Sequence, residues 1–134
     1  MLAWIAKPAS AAPVPRSIVP YGLGAIDGTA LGFTDGAALP GGAWMFSAVA
    51  EATDDGYADG GCRGSVIGFV GADDVLGRRH RLAGDLKVEG LGAFVQNGRL
   101  ALLAVTDADD PATPSRLLGA DFAFSAELVG AKTA

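Results

Sequence analysis

From Gly22 onward the chain alternates short apolar runs with turn residues, the rhythm of antiparallel strands. Leu31 to Thr34, Ala43 to Glu51, Ser65 to Val70 and His80 to Ala83 predict four strands. Asp35-Gly36 and Pro40-Gly41-Gly42 mark the first connection, Asp54 to Gly64 the second and Gly71 to Leu76 the third. A second set follows in the same order over Val88 to Val95, Leu100 to Thr106 and Leu117 to Phe124, with Phe124 to Val129 available to finish a fourth strand. Asn97-Gly98 between two apolar runs predicts a tight hairpin, because both residues tolerate positive φ. A helix over Ala101 to Val105 is excluded by length, since the hairpin and Pro111 bound it closely. Pro8, Pro13, Pro15 and Pro20 make residues 1–20 an extended lead-in or edge segment.

The two sets read as one β unit written twice, over residues 21–84 and 85–134. Ala25-Ile26-Asp27-Gly28 aligns with Lys87-Val88-Glu89-Gly90, and Ala48 to Asp54 aligns with Ala104 to Asp110. Asp27 thereby matches Glu89, and Glu51 matches Asp107. Ala43 to Val49 and Leu100 to Val105 are continuously apolar, as strands buried on both faces are. Together these features predict an all-β chain of antiparallel β-propeller blades, about two of them, hence a partial or half propeller. A closed propeller has four to eight blades, so two blades leave broad apolar faces in need of cover. The expected remedies are self-association into a ring, missing blades of a longer chain, or closure into a compact sandwich.

Composition narrows the partners more than the chemistry. At 134 residues the chain is one domain's worth of core, and it is 50% hydrophobic with only 19% charged residues. Fifteen acidic against ten basic residues give a formal charge of −5, which repels phosphate backbones and argues against nucleic acid. No basic run points to an anionic membrane, and no apolar run reaches the ~18 residues of a membrane span. The apolar start Leu2 to Ala6, followed by Lys7, is too brief for a signal peptide, so a cytoplasmic location is the expectation. Cys62, the single cysteine, lies in a Gly-rich stretch without a second Cys or a nearby His and reads as a turn or small-core residue.

The repeated carboxylates carry the functional reading. If the blades are equivalent, Asp27, Glu51, Glu89 and Asp107 gather around one mouth, with Asp109 beside them and Asp54, Asp55, Asp59 and Asp110 in the adjoining loops. Converging carboxylates repel one another unless a cation neutralises them. Oxygen ligands without Cys or paired His suit a hard cation such as Ca²⁺ or Mg²⁺, not zinc. The loop aspartates also suit turn capping through the following amides. Lys87 shares a strand face with Glu89 and is placed to pair with it. Arg78-Arg79-His80-Arg81 reads as a solvated outer strand, and Trp4 and Trp44 as packing residues.

At Gly32-Phe33-Thr34-Asp35, Phe46 to Glu51, Asp59-Gly60 through Gly64-Ser65, Lys87-Val88-Glu89-Gly90-Leu91 and Thr106 to Pro111 with Pro114-Ser115, the chain resembles a family of uncharacterised bacterial β-propellers. That family is related to the esterase-like, phytase-like propellers. The likeness spans about residues 20 to 124 and covers only the C-terminal blades of such proteins. It implies a propeller fold and suggests calcium-assisted phosphate-ester hydrolysis, in which metal ions offset substrate charge and activate water. The expectations are therefore an acidic mouth, formed by Glu51, Glu89, Asp107, Asp27 and Asp109, that binds a divalent cation or small polar ligand; a metal-dependent phosphoesterase; or a structural module without ligand.

Overall fold

The computed structural model describes residues 15, 17–52 and 61–125. Among the described residues eight strands form two antiparallel sheets, and the fold is all-β. The first sheet runs in chain order through β1 (Ala25–Ile26), β2 (Thr29–Ala38), β3 (Trp44–Ala52), β4 (Gly61–Val70) and β5 (Leu76–Arg81). The second holds β6 (Val88–Gln96), β7 (Arg99–Thr106) and β8 (Leu117–Ala123). The first sheet curls on itself, so the whole is a pair of blade-like sheets, a partial propeller. The lead-in before residue 15, the loop acids Asp54, Asp55 and Asp59, Trp4, and the end of the expected strand at Phe124 to Val129 lie outside the described residues.

Most expected strands are present, with shifted ends. Asp35-Gly36 is not a connection but lies inside β2, where Thr34 is the extra residue of a bulge that carries the strand onward. The connection between β2 and β3 is the short turn Pro40–Gly42 alone. Strand β5 begins at Leu76, opposite Val70 and four residues ahead of the expected start at His80, and ends at Arg81. Strand β1 was not expected. Asp27 (φ 49°) and Gly28 (φ 81°) form the two-residue turn between β1 and β2, a conformation that Asp-Gly adopts readily.

The expected equivalence of Asp27 and Glu89 fails for the same reason. The β1–β2 turn has no counterpart in the second sheet, so Asp27 precedes its sheet's first long strand while Glu89 is a bulged residue within β6. Glu51 and Asp107 do correspond. Glu51 is the second-last residue of β3, Asp107 follows β7, and both lie at the C-terminal ends of their strands.

Strand β3 is buried on both faces, as its unbroken apolar run predicts. One face, with Met45, Ile67 and Phe69, meets Leu100, Leu102 and Leu91 of the second sheet. The other, with Phe46, Ala48, Val66 and Val70, is covered by Tyr21, Leu23 and Ile26. Trp44 is a packing residue here, joined to Tyr21, Phe33 and Phe46 in tilted and edge-on aromatic contacts. The full burial of Phe46, Phe69, Met45 and Leu100 contributes roughly 1.5–3 kcal/mol each. Strand β7 departs from expectation. Leu100, Leu102 and Ala104 are buried, but Leu103 and Val105 face solvent, because no described element covers the outer side of the second sheet.

Hydroxyl groups set into the apolar strands fasten the sheets together. The Thr34 hydroxyl donates to Val88 O at 2.7 Å and shares a 2.8 Å hydrogen bond with the fully buried Ser47. The Ser65 hydroxyl donates to Leu86 O at 2.5 Å and accepts from Val88 N at 3.0 Å. Asp35 Oδ2 accepts from Leu91 N at 2.7 Å. No buried side-chain polar atom among the described residues lacks a partner, as low-dielectric surroundings require.

Gly68 faces the Phe46 ring so closely that a Cβ there would overlap it. Gly68→Ala is expected to cost about 1–3 kcal/mol, because the fully buried ring must shift to admit the added methyl. The shift in the denaturant midpoint of unfolding measures it, and a change under 0.5 kcal/mol would contradict this packing.

Candidate functional site

The segment joining the sheets delivers one side chain to the centre of the acids. Lys87 lies between Leu86 and Val88, whose backbones are held by Ser65 and Thr34. Its ammonium contacts Glu51 Oε1 at 2.9 Å and Glu89 Oε1 at 3.8 Å, and donates a hydrogen bond to Asp109 Oδ2. The lysine side chain is only 12% exposed. The pairing expected between Lys87 and Glu89 is thus one arm of a larger cluster.

Local backbone irregularity aims these groups. Arg63 is the extra residue of a bulge in β4, between the pairs Ala50 with Gly64 and Glu51 with Cys62, and Gly64 there takes φ 118°. Glu89 is the extra residue of the bulge in β6. Bulges re-aim side chains that regular alternation would fix. Asp107 is held by its amide bond to Lys87 O at 3.0 Å, and its Oδ1 accepts from Asp109 N at 3.0 Å. Asp110 caps the next turn, accepting from Ala112 N and the Thr113 hydroxyl. Those two bonds hold its carboxyl below the ordinary aspartate value.

Electrostatics at the cluster pull in opposite directions. Burial disfavours the Lys87 charge, but hydrogen bonds to Asp109 and Glu51 and the attraction of both carboxylates outweigh it and raise its pKa. Burial also raises the Glu89 carboxyl. Lys87 lowers it in part, while Asp109, Glu51 and Asp107 push it further up.

Of the five acids expected at the mouth, Glu51, Glu89 and Asp109 converge on Lys87, and Asp107 stands beside them. Asp27 does not join them. It sits at its turn 3.5 Å from Arg81 and lines a separate open cavity of about 480 Å³ with Arg79 and Arg81. Arg79 there donates to the carbonyls of Gly22 and Leu23, and β5 is the exposed basic strand its sequence predicts.

A cavity of about 520 Å³ opens beside Lys87, lined by Glu51, Cys62, Asp85, Thr106, Asp109, Thr113 and Arg116 among others. Thr106 is tied to Arg116 by the bond from Arg116 N to its hydroxyl, at 3.0 Å. Asp85, Thr106, Thr113 and Arg116 carry no signal in the repeat pattern and were not expected here. Among the described residues no group of three or more His, Cys, Asp or Glu side chains is arranged to hold a metal ion. Calcium takes six to eight oxygens. Here Lys87 engages the oxygens of Glu51 and Asp109, so these acids do not form a calcium cage as they stand.

A model of DUF6910, a family of unknown function, matches residues 1–111. The chain belongs to this family. It matches no curated protein and no solved structure.

Lys87→Met is expected to destabilise the chain by about 2–3 kcal/mol, the scale of charge-assisted hydrogen bonds lost at a largely buried site. The loss should shrink in acid as Glu89 protonates, its carboxyl already pushed up by burial and the neighbouring acids. Urea unfolding at pH 7 and pH 4 measures both, and equal losses at the two values would contradict the role of carboxylate repulsion.

Proposed function

We propose that this DUF6910 chain is a binding module whose cavity beside Lys87 takes a small, cationic or donor-rich polar molecule. The observation that carries this reading is the charge of the cavity and its rim. Among the described residues, Glu51, Asp85, Glu89, Asp107 and Asp109 stand against Lys87 and Arg116 alone. Lys87 satisfies one oxygen each of Glu51 and Asp109, and carboxylates have further lone pairs to offer. Ammonium and hydroxyl groups complement those acceptors, while the hydroxyls of Thr106 and Thr113 and the guanidinium of Arg116 add polar walls. A divalent cation competes for the same oxygens. A phosphate ester meets net negative charge at this wall, which favours binding of donors over phosphoester chemistry.

Calorimetric titration with 1,4-diaminobutane and, separately, calcium chloride tests this. Diamine binding is expected at millimolar concentration or below, weakened at least tenfold by Asp109→Asn and weakened by added salt. Calcium is expected to bind less tightly than the diamine to the wild-type chain. Absence of diamine heat up to 10 mM, or binding unchanged by Asp109→Asn, would contradict the assignment.

A further inference from the structure

The two outer strands of the first sheet, β1 and β5, meet where the sheet curls, and side chains of β5 bridge the seam in place of a backbone ladder. Arg79 and Arg81 share a face of β5, opposite Gly68 and Val66 of β4, while His80 between them, opposite Ile67, takes the other face. Arg79 Nη1 donates to Gly22 O at 3.2 Å and to Leu23 O at 2.6 Å, and Arg81 Nη2 donates to Arg63 O at 3.2 Å. These carbonyls fix both guanidinium groups and use one nitrogen of each. Among the described residues, Nε and Nη2 of Arg79 and Nε and Nη1 of Arg81 have no hydrogen-bond partner. The cavity of about 480 Å³ at this seam is floored by the buried Leu23, Ile26 and Val66. Gly24 and Gly64 keep the flanks of the arginines clear, since a Cβ at either would stand 3.8 Å from Arg79 Nη1 or 3.7 Å from Arg81 Nε.

We propose that this seam binds a small organic carboxylate, its oxygens held by Arg79 and Arg81 and its apolar body laid on Leu23, Ile26 and Val66. Among the described residues lining the cavity, two positive charges face one carboxylate, Asp27, in a chain whose formal charge is −5. The planar guanidinium fork matches carboxylate geometry, and the free nitrogens supply the donors. Asp27 already brings a carboxylate to the seam. It stands 3.5 Å from Arg81 Nη2, beyond charge-assisted hydrogen-bond distance, and the Arg81 and Asp27 side chains are 51% and 67% exposed. So loose and solvated a pair contributes little. Asp27 is thus a weak internal stand-in for the ligand, and an incoming carboxylate displaces it readily. The site takes an anion, so it differs from the cavity beside Lys87 in place and in sign.

Chemical-shift titration of the full chain at pH 7 with sodium 4-methylpentanoate tests the proposal, read at the backbone amides of Leu23, Ile26 and Val66. Saturable shifts at these amides are expected with a low-millimolar Kd. The uncharged 4-methylpentanamide, acetate with its minimal body, and inorganic phosphate are each expected to bind at least tenfold more weakly. Arg81→Gln is expected to weaken binding of the acid at least tenfold. Asp27→Asn removes the internal competitor and is expected to tighten it about fivefold. Asn also adopts the positive φ of that turn, so this arm holds whether or not the arginine variant folds. Absence of saturable shifts at these amides up to 50 mM acid, in the wild-type chain and in Asp27→Asn alike, overturns the proposal. So does the amide, acetate or phosphate binding as tightly as the acid, or an affinity that Asp27→Asn leaves unchanged or weakens.

Discussion

The structure depends on how residues 86–88 are seized as the chain passes from one sheet to the other. Ser65, fully buried in β4, accepts from Val88 N and donates to Leu86 O, while Thr34 donates to Val88 O. The edge of β6 would otherwise present unpaired backbone groups to the first sheet. Unpaired polar groups are costly where water is excluded, so the hydroxyls specify both the closeness and the register of the two sheets. The apolar contacts of Met45, Ile67 and Phe69 with Leu100 and Leu102 supply the larger area. They are non-directional and do not choose a register by themselves.

The candidate site follows from the same clamp. Holding Leu86 and Val88 on either side fixes the backbone of Lys87, and its ammonium enters a group of carboxylates that come from β3, β6 and the loop after β7. A buried cluster of this kind is not a cheap source of stability, because desolvation offsets much of the attraction. Its consequence is positional. Glu51 of the first sheet and Asp109 beyond the second are tied to one cation, so the cavity between them has walls of defined spacing and net negative charge.

Much of this was legible in the residues, and the rest was hidden for physical reasons. The unbroken run Ala43 to Val49 announces a strand buried on two faces, and Asn97-Gly98 announces its hairpin. Leu100 to Val105 has the same look, yet one side is bare, because hydrophobicity records a tendency to be covered and not the presence of a cover. Asp35-Gly36 has turn chemistry but lies within a strand, since the bulge at Thr34 and the bond from Leu91 N absorb it. The repeat drew attention to Glu51 and Glu89 and to the acidic stretch holding Asp109, but it matched Glu89 with Asp27 and Glu51 with Asp107. The cation at the centre of the cluster was visible only as a neighbour of Glu89, because the contacts that bring Lys87 to Glu51 span 36 positions in the chain. Asp27 was misplaced because an Asp-Gly turn before β2 imitates a repeated acidic corner.

Amide hydrogen exchange in the native state tests the clamp most directly. Val88 and Leu91 lie on the strand at the margin of a three-stranded sheet, and their amides are held by side chains of the other sheet. Both are expected to be protected to nearly the extent of the β3 core amides, and Ser65→Ala is expected to release Val88 selectively. Exchange of Val88 and Leu91 at the rate of solvent-facing edge amides in the wild-type chain would contradict the account.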